Sequence, residues 1–300
     1  MPTYSADELD AAQRMVYAAM PPTPQFAWPL LRERLGAEVW VKHENHTPLG
    51  AFKVRGGLVY LQGLAEREPA CRGVISATRG NHGQSIAFAA SRHGLSATIV
   101  VPHGNSVEKN AAMRALGAEL VEHGSDFQQA REHAAVLAQA RGLHFVPSFH
   151  RDLVRGVATY WIEFFRAVQP AVVFVPIGQG SGICACIAAR AHTRAATRIV
   201  GVVSAHATAY LDSFRAGRCI EAPVTTLLAD GMACRVPDAD ALEVIRREVD
   251  DVIAVTDDEV AAAMRLLYTA THNVAEGAGA ASLAAAMQQR ERWRGRSVGV

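Results

Sequence analysis

The sequence lacks what a membrane protein, a disulfide scaffold or a polyanion binder needs. No apolar run approaches the ~20 residues of a membrane-spanning helix. The opening stretch, Met1-Pro2-Thr3-Tyr4-Ser5-Ala6-Asp7-Glu8, has neither a basic nor an apolar segment, so no signal peptide is expected. The five cysteines are Cys71, Cys184, Cys186, Cys219 and Cys234. They form no CxxC pair, and Cys184-x-Cys186 is too isolated for a zinc site. An odd count without a framework fits a reducing cytoplasm. Neither sign of charge dominates: 30 basic residues face 29 acidic ones, a formal net charge of +1. That balance removes the electrostatic case for nucleic acid or an anionic membrane as partner. Aromatics are 7% of residues, and no repeat, low-complexity tract or Gly/Ser linker separates the halves.

What is present is a 300-residue chain, 50% hydrophobic and rich in alanine. That length suits about two packed domains. Residues 5–19 read as a helix with a Ser5/Glu8 capping-box pattern, stopped by Pro21-Pro22-Thr23-Pro24. Strands are expected at 38–42, 73–77, 97–101, 119–122, 171–176 and 198–203. Helices are expected from Lys53 toward Leu64 and over 81–93, 106–116, 126–141, 151–168, 183–193, 257–268 and 278–290. This βα rhythm predicts right-handed βαβ units, and strands without strict alternation predict parallel sheets buried on both faces.

Four segments carry candidate chemistry. The apolar strand ending in Val175-Pro176-Ile177 runs into Gly178-Gln179-Gly180-Ser181-Gly182 and a helix. Glycines let the backbone approach an anion, and a helix N-terminus favours phosphate. The spacing is not the dinucleotide fingerprint, and no Gly-Lys-Ser/Thr follows. Alone, this turn fits a phosphate site or a βα turn with no ligand equally well. Lys53 follows a polar Pro/Gly loop and precedes apolar helix residues. Desolvated there, it would be an amine nucleophile for an aldehyde; read by itself it is an exposed first-turn lysine. The turn Ser76-Ala77-Thr78-Arg79-Gly80-Asn81-His82-Gly83-Gln84 links a strand to a helix. Its N–H groups and the Thr78 hydroxyl could grip a carboxylate, and Asn81 could donate to a phenolate-like oxygen. His82 reads as a packing residue rather than a proton shuttle. Ala229-Asp230-Gly231 and the Glu276-Gly277-Ala278-Gly279-Ala280 segment put carboxylates in glycine turns, where they could be plain caps.

Taken together and in order, Ala51-Phe52-Lys53-Val54-Arg55-Gly56, Gly80-Asn81-His82-Gly83-Gln84, the 178–182 turn, Ala229-Asp230-Gly231 and the 276–280 segment resemble the threonine/serine dehydratase family. These are fold-type II pyridoxal 5′-phosphate (PLP) enzymes with a tryptophan synthase β-like architecture. The resemblance spans roughly residue 22 to the C-terminus. It implies two three-layer αβα domains with mostly parallel sheets: residues 1–53 plus 146–300 as a large PLP-binding domain, and 54–145 as a small domain inserted in it. Lys53 would form the Schiff base and act as acid or base. Asn81 would bond the PLP 3′-oxygen, Phe52 would pack near the ring, and Gly178, Gln179, Gly180, Ser181 and Gly182 would cradle the phosphate. Glu276 joins the cofactor side, while Thr78, Arg79, Gly80, Asn81 and His82 form the substrate side.

The resemblance implies α,β-elimination from a β-hydroxy-α-amino acid of threonine or serine type, giving a 2-oxo acid and ammonia. Bulkier substrates such as phenylserine or 3-hydroxyaspartate stay open, as do a β-replacement synthase or racemase of the same fold and a non-catalytic binding protein. Intact Lys53 argues against the last. Racemising members carry a second-face serine where this chain has Arg79, which favours Lys53 as principal base and elimination over racemisation. Cation-binding members place carboxylates where this chain has residues 203–209, Val-Ser-Ala-His-Ala-Thr-Ala, so no metal is expected. The family's Ser/Thr-Gly-Gly-Asn-like turn is not found after Ser297-Val298-Gly299-Val300, and no regulatory domain is seen, so allosteric inhibition by a branched-chain amino acid is not expected. The small-molecule partner would be an amino acid, and the assembly a homodimer by resemblance and by the commonness of two-fold dimers.

Overall fold

Strands and helices alternate along residues 4–300, the portion that this computed structural model describes. Residues 1–3, where the signal-peptide reading begins, lie outside the described residues. In chain order the elements are α1 Ala6–Tyr17, β1 Gln25–Ala27, α2 Pro29–Leu35, β2 Glu38–Lys42, α3 Lys53–Arg67, β3 Gly73–Ala77, α4 Asn81–Arg92, β4 Ser96–Val101, α5 Val107–Ala115 and β5 Glu119–Glu122. Then follow α6 Phe127–Arg141, β6 His144–Phe145, α7 Arg151–Ala167, β7 Val172–Pro176, α8 Ser181–Thr193, β8 Arg198–Ser204, α9 Ala209–Ala216 and α10 Ala239–Glu248. The chain ends with β9 Asp251–Val255, α11 Asp257–Thr271, α12 Gly277–Gln288, α13 Arg290–Trp293 and β10 Ser297–Gly299. Two compact units result.

One unit comprises residues 7–21 and 47–159. Its four-stranded sheet, in order β5-β4-β3-β6, is parallel throughout. Successive side chains on a strand point to opposite faces. Accordingly Val74, Ala97, Ile99 and Val101 pack with Leu61 and Leu64 of α3, Ile86 of α4 and Met113 of α5. Ile75, Ala77 and Val100 pack on the other face with Ala130, Ala134 and Ala138 of α6. Both faces are covered, giving an αβα sandwich. Helix α1 belongs here because Ala12, Val16 and Met20 pack against Val54, Leu58 and Val59 of α3. Residues 47–53 and 146–159 also group with this unit.

The other unit contains Pro22–His46 and Tyr160–Val300 together with residues 4–6. Its six strands run β1-β2-β10-β7-β8-β9, all parallel except the β1/β2 pair. Val172, Phe174, Val200 and Val202 form the core with the apolar faces of α11 and α12. A buried ion pair lies beside it. Lys42 Nζ donates to Glu163 Oε2 at 2.6 Å, to the Thr23 carbonyl at 2.8 Å and to Gln25 Oε1 at 2.9 Å. The ammonium's three protons thereby each have an acceptor. Among the described residues no helix is long and apolar enough to cross a membrane.

Candidate active site

The candidate residues fall into two groups, one in each unit. In the unit of residues 47–159, Lys53 is the first residue of α3 and is half-buried. The loop before it is built by Thr47, whose Oγ1 donates to the Ala51 carbonyl and accepts from the Ala51 N–H. Lys53 Nζ lies 4.7 Å from the centroid of the Phe52 ring, within cation–π range. Its backbone is fixed from α4: Ser85 Oγ donates to the Lys53 carbonyl at 2.5 Å.

Three lysines occur in the whole chain. Lys42 is consumed by the buried ion pair. The Lys109 stem lies against Gly80, where a β-carbon would run into Lys109 Cδ. Lys53 is the one to which the resemblance assigns the aldehyde-reactive amine, and it opens α3 beside the Phe52 ring.

The 78–82 turn follows β3. Thr78 is buried, and its Oγ1 accepts the Gly80 N–H at 2.9 Å. Gly80 precedes α4, whose first turn has no side-chain cap, so donors at that helix N-terminus face outward for an anion. Asn81 is half-buried, and Arg79 is half-buried with its Nε out of solvent. His82 is buried and its Nε2 has no partner. Desolvation, then the field of Lys53, lowers its pKa to about 3.

In the other unit, the 178–182 turn joins β7 to α8. Gly180 precedes α8 and supplies no side chain to cap it. Tyr210 Oη donates to the Gln179 carbonyl at 3.1 Å, Gln179 Nε2 donates to Cys234 Sγ at 3.2 Å, and Trp161 Nε1 donates to the Gly182 carbonyl at 3.2 Å. A β-carbon on Gly178 would collide with the Gly231 carbonyl oxygen. This close approach requires glycine and brings the Asp230–Met232 turn beside the loop. A β-carbon on Gly231 would meet Ala278 and lie 4.0 Å from Glu276 Oε1, so Glu276 is a neighbour of the same turn. Glu276 is exposed and caps no N–H of α12. Burial pushes the Cys184 and Cys234 thiols up to about 12, which takes them out of contention as nucleophiles.

Reading the sequence did not single out Ser85, Tyr210 or Trp161, because each acts on a residue more than twenty positions away. The scarcity of lysine was a usable signal for Lys53. Among the described residues no group of three His, Cys, Asp or Glu side chains could hold a metal ion.

The residues fit PLP on the structure's own terms. Each unit by itself offers groups of the kind PLP uses: in the unit of residues 47–159, the Lys53 amine against the Phe52 ring and the Asn81 amide at the head of α4; in the other, an uncapped helix N-terminus behind a glycine turn.

Comparison with known proteins agrees. The chain is 37% identical over 260 residues to an L-threonine ammonia-lyase of Geobacter sulfurreducens, covering 86% of this chain and 64% of that protein. It spans only 53% of another such relative, the L-threonine dehydratase biosynthetic IlvA of Pasteurella multocida, at 34% identity over 90% of this chain. Among solved structures, the processed form of threonine deaminase isoform 2 from Solanum lycopersicum superposes with a TM-score of 0.87 at 27% identity, covering 99% of this chain and 89% of that one. A PLP-dependent aspartate racemase superposes with a TM-score of 0.92 at 25% identity, covering 100% and 95%. Residues 16–300 match the family described as pyridoxal-phosphate dependent enzymes, and the chain belongs to that family.

Proposed function

We propose that this protein is a carbon–nitrogen lyase that eliminates water from a β-hydroxy-α-amino acid of threonine or serine type and releases ammonia and a 2-oxo acid. The observation that carries the reading is Lys53, whose backbone is pinned at the head of α3; Arg79 occupies the sequence position where the resemblance puts a racemase's second-face serine. The likeness to proteins named L-threonine ammonia-lyase and threonine dehydratase supports the substrate class.

PLP, when bound, supplies an electron sink for the pair left at the substrate Cα. Lys53 would hold the cofactor, and its amine would take the Cα proton and deliver a proton to the departing β-hydroxyl. Asn81 would donate to the cofactor's phenolic oxygen. The N–H groups of Gly178, Gln179, Gly180, Ser181 and Gly182 would hold its phosphate, assisted by the dipole of α8. Thr78 Oγ1 accepts the Gly80 N–H, so the Thr78 hydroxyl proton and the N–H groups of Asn81 and His82 would hold the substrate carboxylate. Orientation and fixed dipoles are the protein's contribution to rate.

Arg79 favours a second substrate reading. A half-buried guanidinium in the carboxylate turn suits a substrate with a second carboxylate, such as 3-hydroxyaspartate, over an aromatic one such as phenylserine. A homodimer acting in the cytoplasm completes the proposal.

The test is ammonia release over a panel of threonine, serine, phenylserine and 3-hydroxyaspartate isomers, with and without added thiol. Stoichiometric ammonia and 2-oxo acid, unchanged by thiol, are expected. Thiol incorporation, or inverted stereochemistry without ammonia, would replace elimination with β-replacement or racemisation.

A further inference from the structure

A histidine caps helix α7. The first bond of that helix runs from the Val154 N–H to the His150 carbonyl at 3.0 Å, which makes His150 the N-cap. The His150 ring completes the cap, because its Nδ1 accepts the Asp152 N–H at 3.1 Å. A backbone N–H only donates, so Nδ1 carries no hydrogen and the neutral ring is protonated at Nε2. Serine, threonine, aspartate or asparagine ordinarily fills such a position, and none of them loses its acceptor near neutral pH. An imidazole does. A proton on Nδ1 removes the acceptor and puts positive charge at the helix end that disfavours it.

The surroundings favour the neutral ring. The Tyr60 ring of α3 packs against it in a T-shaped contact, with centroids 4.9 Å apart. Burial pushes the Tyr60 phenol up to about 12, so it adds no charge. Its oxygen lies 2.9 Å from His144 Nε2 of β6, and His144 Nδ1 lies 3.1 Å from Glu68 Oε2. Asp152 Oδ2 is 3.8 Å from His150 Nδ1 and would favour the imidazolium. That carboxylate is already engaged by Arg67 of α3 at 2.9 Å and by Arg155 of α7 at 3.3 Å. Arg151 beside it pairs with Glu8 of α1 at 2.7 Å. Burial, opposed by Asp152 but joined by Arg67, Arg151 and His144, holds the His150 pKa below its ordinary value of 6.5.

The head of α7 is also the seat of α3. A β-carbon on Gly156 of α7 would run into the Arg55 carbonyl oxygen, and one on Gly56 of α3 would lie 2.9 Å from the Leu153 carbonyl oxygen, so the two helices touch backbone to backbone. Arg55 Nη1 donates to Thr159 Oγ1 at 3.0 Å, and that hydroxyl donates to the Gly156 carbonyl at 2.8 Å. Lys53 opens the same turn of α3. We propose that His150 is a pH-operated cap: while neutral it holds the head of α7 and with it the first turn of α3, and protonation of Nδ1 frees the Asp152 N–H and loosens that seat. Acid thereby destabilises the unit of residues 47–159 and promotes loss of the cofactor. The second effect rests on the reading of Lys53 as the cofactor lysine, and the first does not.

Two variants isolate the titrating cap in the full-length, PLP-loaded chain. His150→Asn supplies a carbonyl acceptor that does not titrate, and His150→Ala supplies none. Urea unfolding is measured from about pH 8 to about pH 5, across the ordinary imidazole range, and PLP release is followed through the visible absorbance band. The folded pKa is the lower one, so the stability His150 contributes is complete above pH 6.5 and falls as the pH drops below it. Wild type and His150→Asn should agree at the alkaline end and diverge in acid, where the wild type unfolds at lower urea and releases PLP sooner. His150→Ala should trail His150→Asn by about fivefold in the folding equilibrium at every pH. The titration of His82 is common to all three and cancels. A wild-type profile parallel to that of His150→Asn, or no gap between the two variants, overturns the proposal. Divergence in urea without divergence in PLP release overturns the link to α3. If the wild type forms no visible band, the reading of Lys53 fails, and the urea profiles still decide the cap. Should the variants not fold, the ¹⁵N resonances of the wild-type His150 ring carry the test. At the alkaline end Nδ1 should be the unprotonated nitrogen, and the opposite tautomer overturns the proposal.

Discussion

Replacing Gly178 by alanine tests whether the 178–182 turn binds phosphate through its close seating on the Asp230–Met232 turn. The added β-carbon would collide with the Gly231 carbonyl oxygen. That atom is backbone and cannot rotate away, so either the loop or its neighbour must move. Overpacking of this kind costs ~1–3 kcal/mol. If the loop moves and its N–H groups lose their aim, the same energy weakens PLP binding by about fivefold to about 150-fold. Gly279→Ala is the matched control. Its β-carbon would meet nothing closer than Ala275 Cβ at 3.8 Å, and it lies within α12, where alanine should add up to ~1 kcal/mol of helix propensity. The assay is titration of the PLP-stripped chain with PLP by visible absorbance, paired with thermal unfolding of both forms. Gly178→Ala should lose affinity and Gly279→Ala should not. Wild-type affinity and an unchanged melting temperature in Gly178→Ala would refute the reasoning.

Other outcomes follow from buried charge. Lys42→Met leaves Glu163 buried without its cation and should cost ~3–5 kcal/mol in urea unfolding, with much of the loss recovered in Lys42→Met/Glu163→Leu. His82 has a folded pKa of about 3 against an ordinary 6.5, so the unfolded chain binds the extra proton between those values. Its contribution to stability is complete above pH 6.5 and is lost as the pH falls toward 3, with a slope of at most ~1.4 kcal/mol per pH unit. Urea unfolding at a series of pH values should show that slope in the wild type and a flatter one in His82→Asn.

Much of this fold was legible where local pattern and turn chemistry agree. β3 runs Gly73–Ala77, as its apolar run predicts, and α5 and α6 start after Ser106 and Asp126, which do cap them. The helix expected over 5–19 ends at Tyr17, ahead of Met20 and Pro21. Less was read between residues 205 and 256. α9, α10 and β9 lie there, and β9, Asp251-Val252-Ile253-Ala254-Val255, is fixed as a strand by pairing with the distant β8. α10 had a readable signal in Asp238, whose Oδ1 accepts the Ala241 N–H. α2 had one too, with Pro29 at its start and Gly36 after its end. β1 and β6 are short and exist through their partners, which no local pattern encodes. In the site, the glycine turns and Lys53 could be picked out from residue type. What holds them could not, because Ser85, Tyr210 and Gly231 reach their partners only through tertiary packing.

The central claim is that Lys53 carries the cofactor. Borohydride reduction of the PLP-saturated protein fixes the cofactor to its lysine, and peptide mass mapping then identifies that lysine among Lys42, Lys53 and Lys109. The account predicts the phosphopyridoxyl label on Lys53 and no label in Lys53→Ala. Label on Lys42 or Lys109, or none in the wild type, would contradict it.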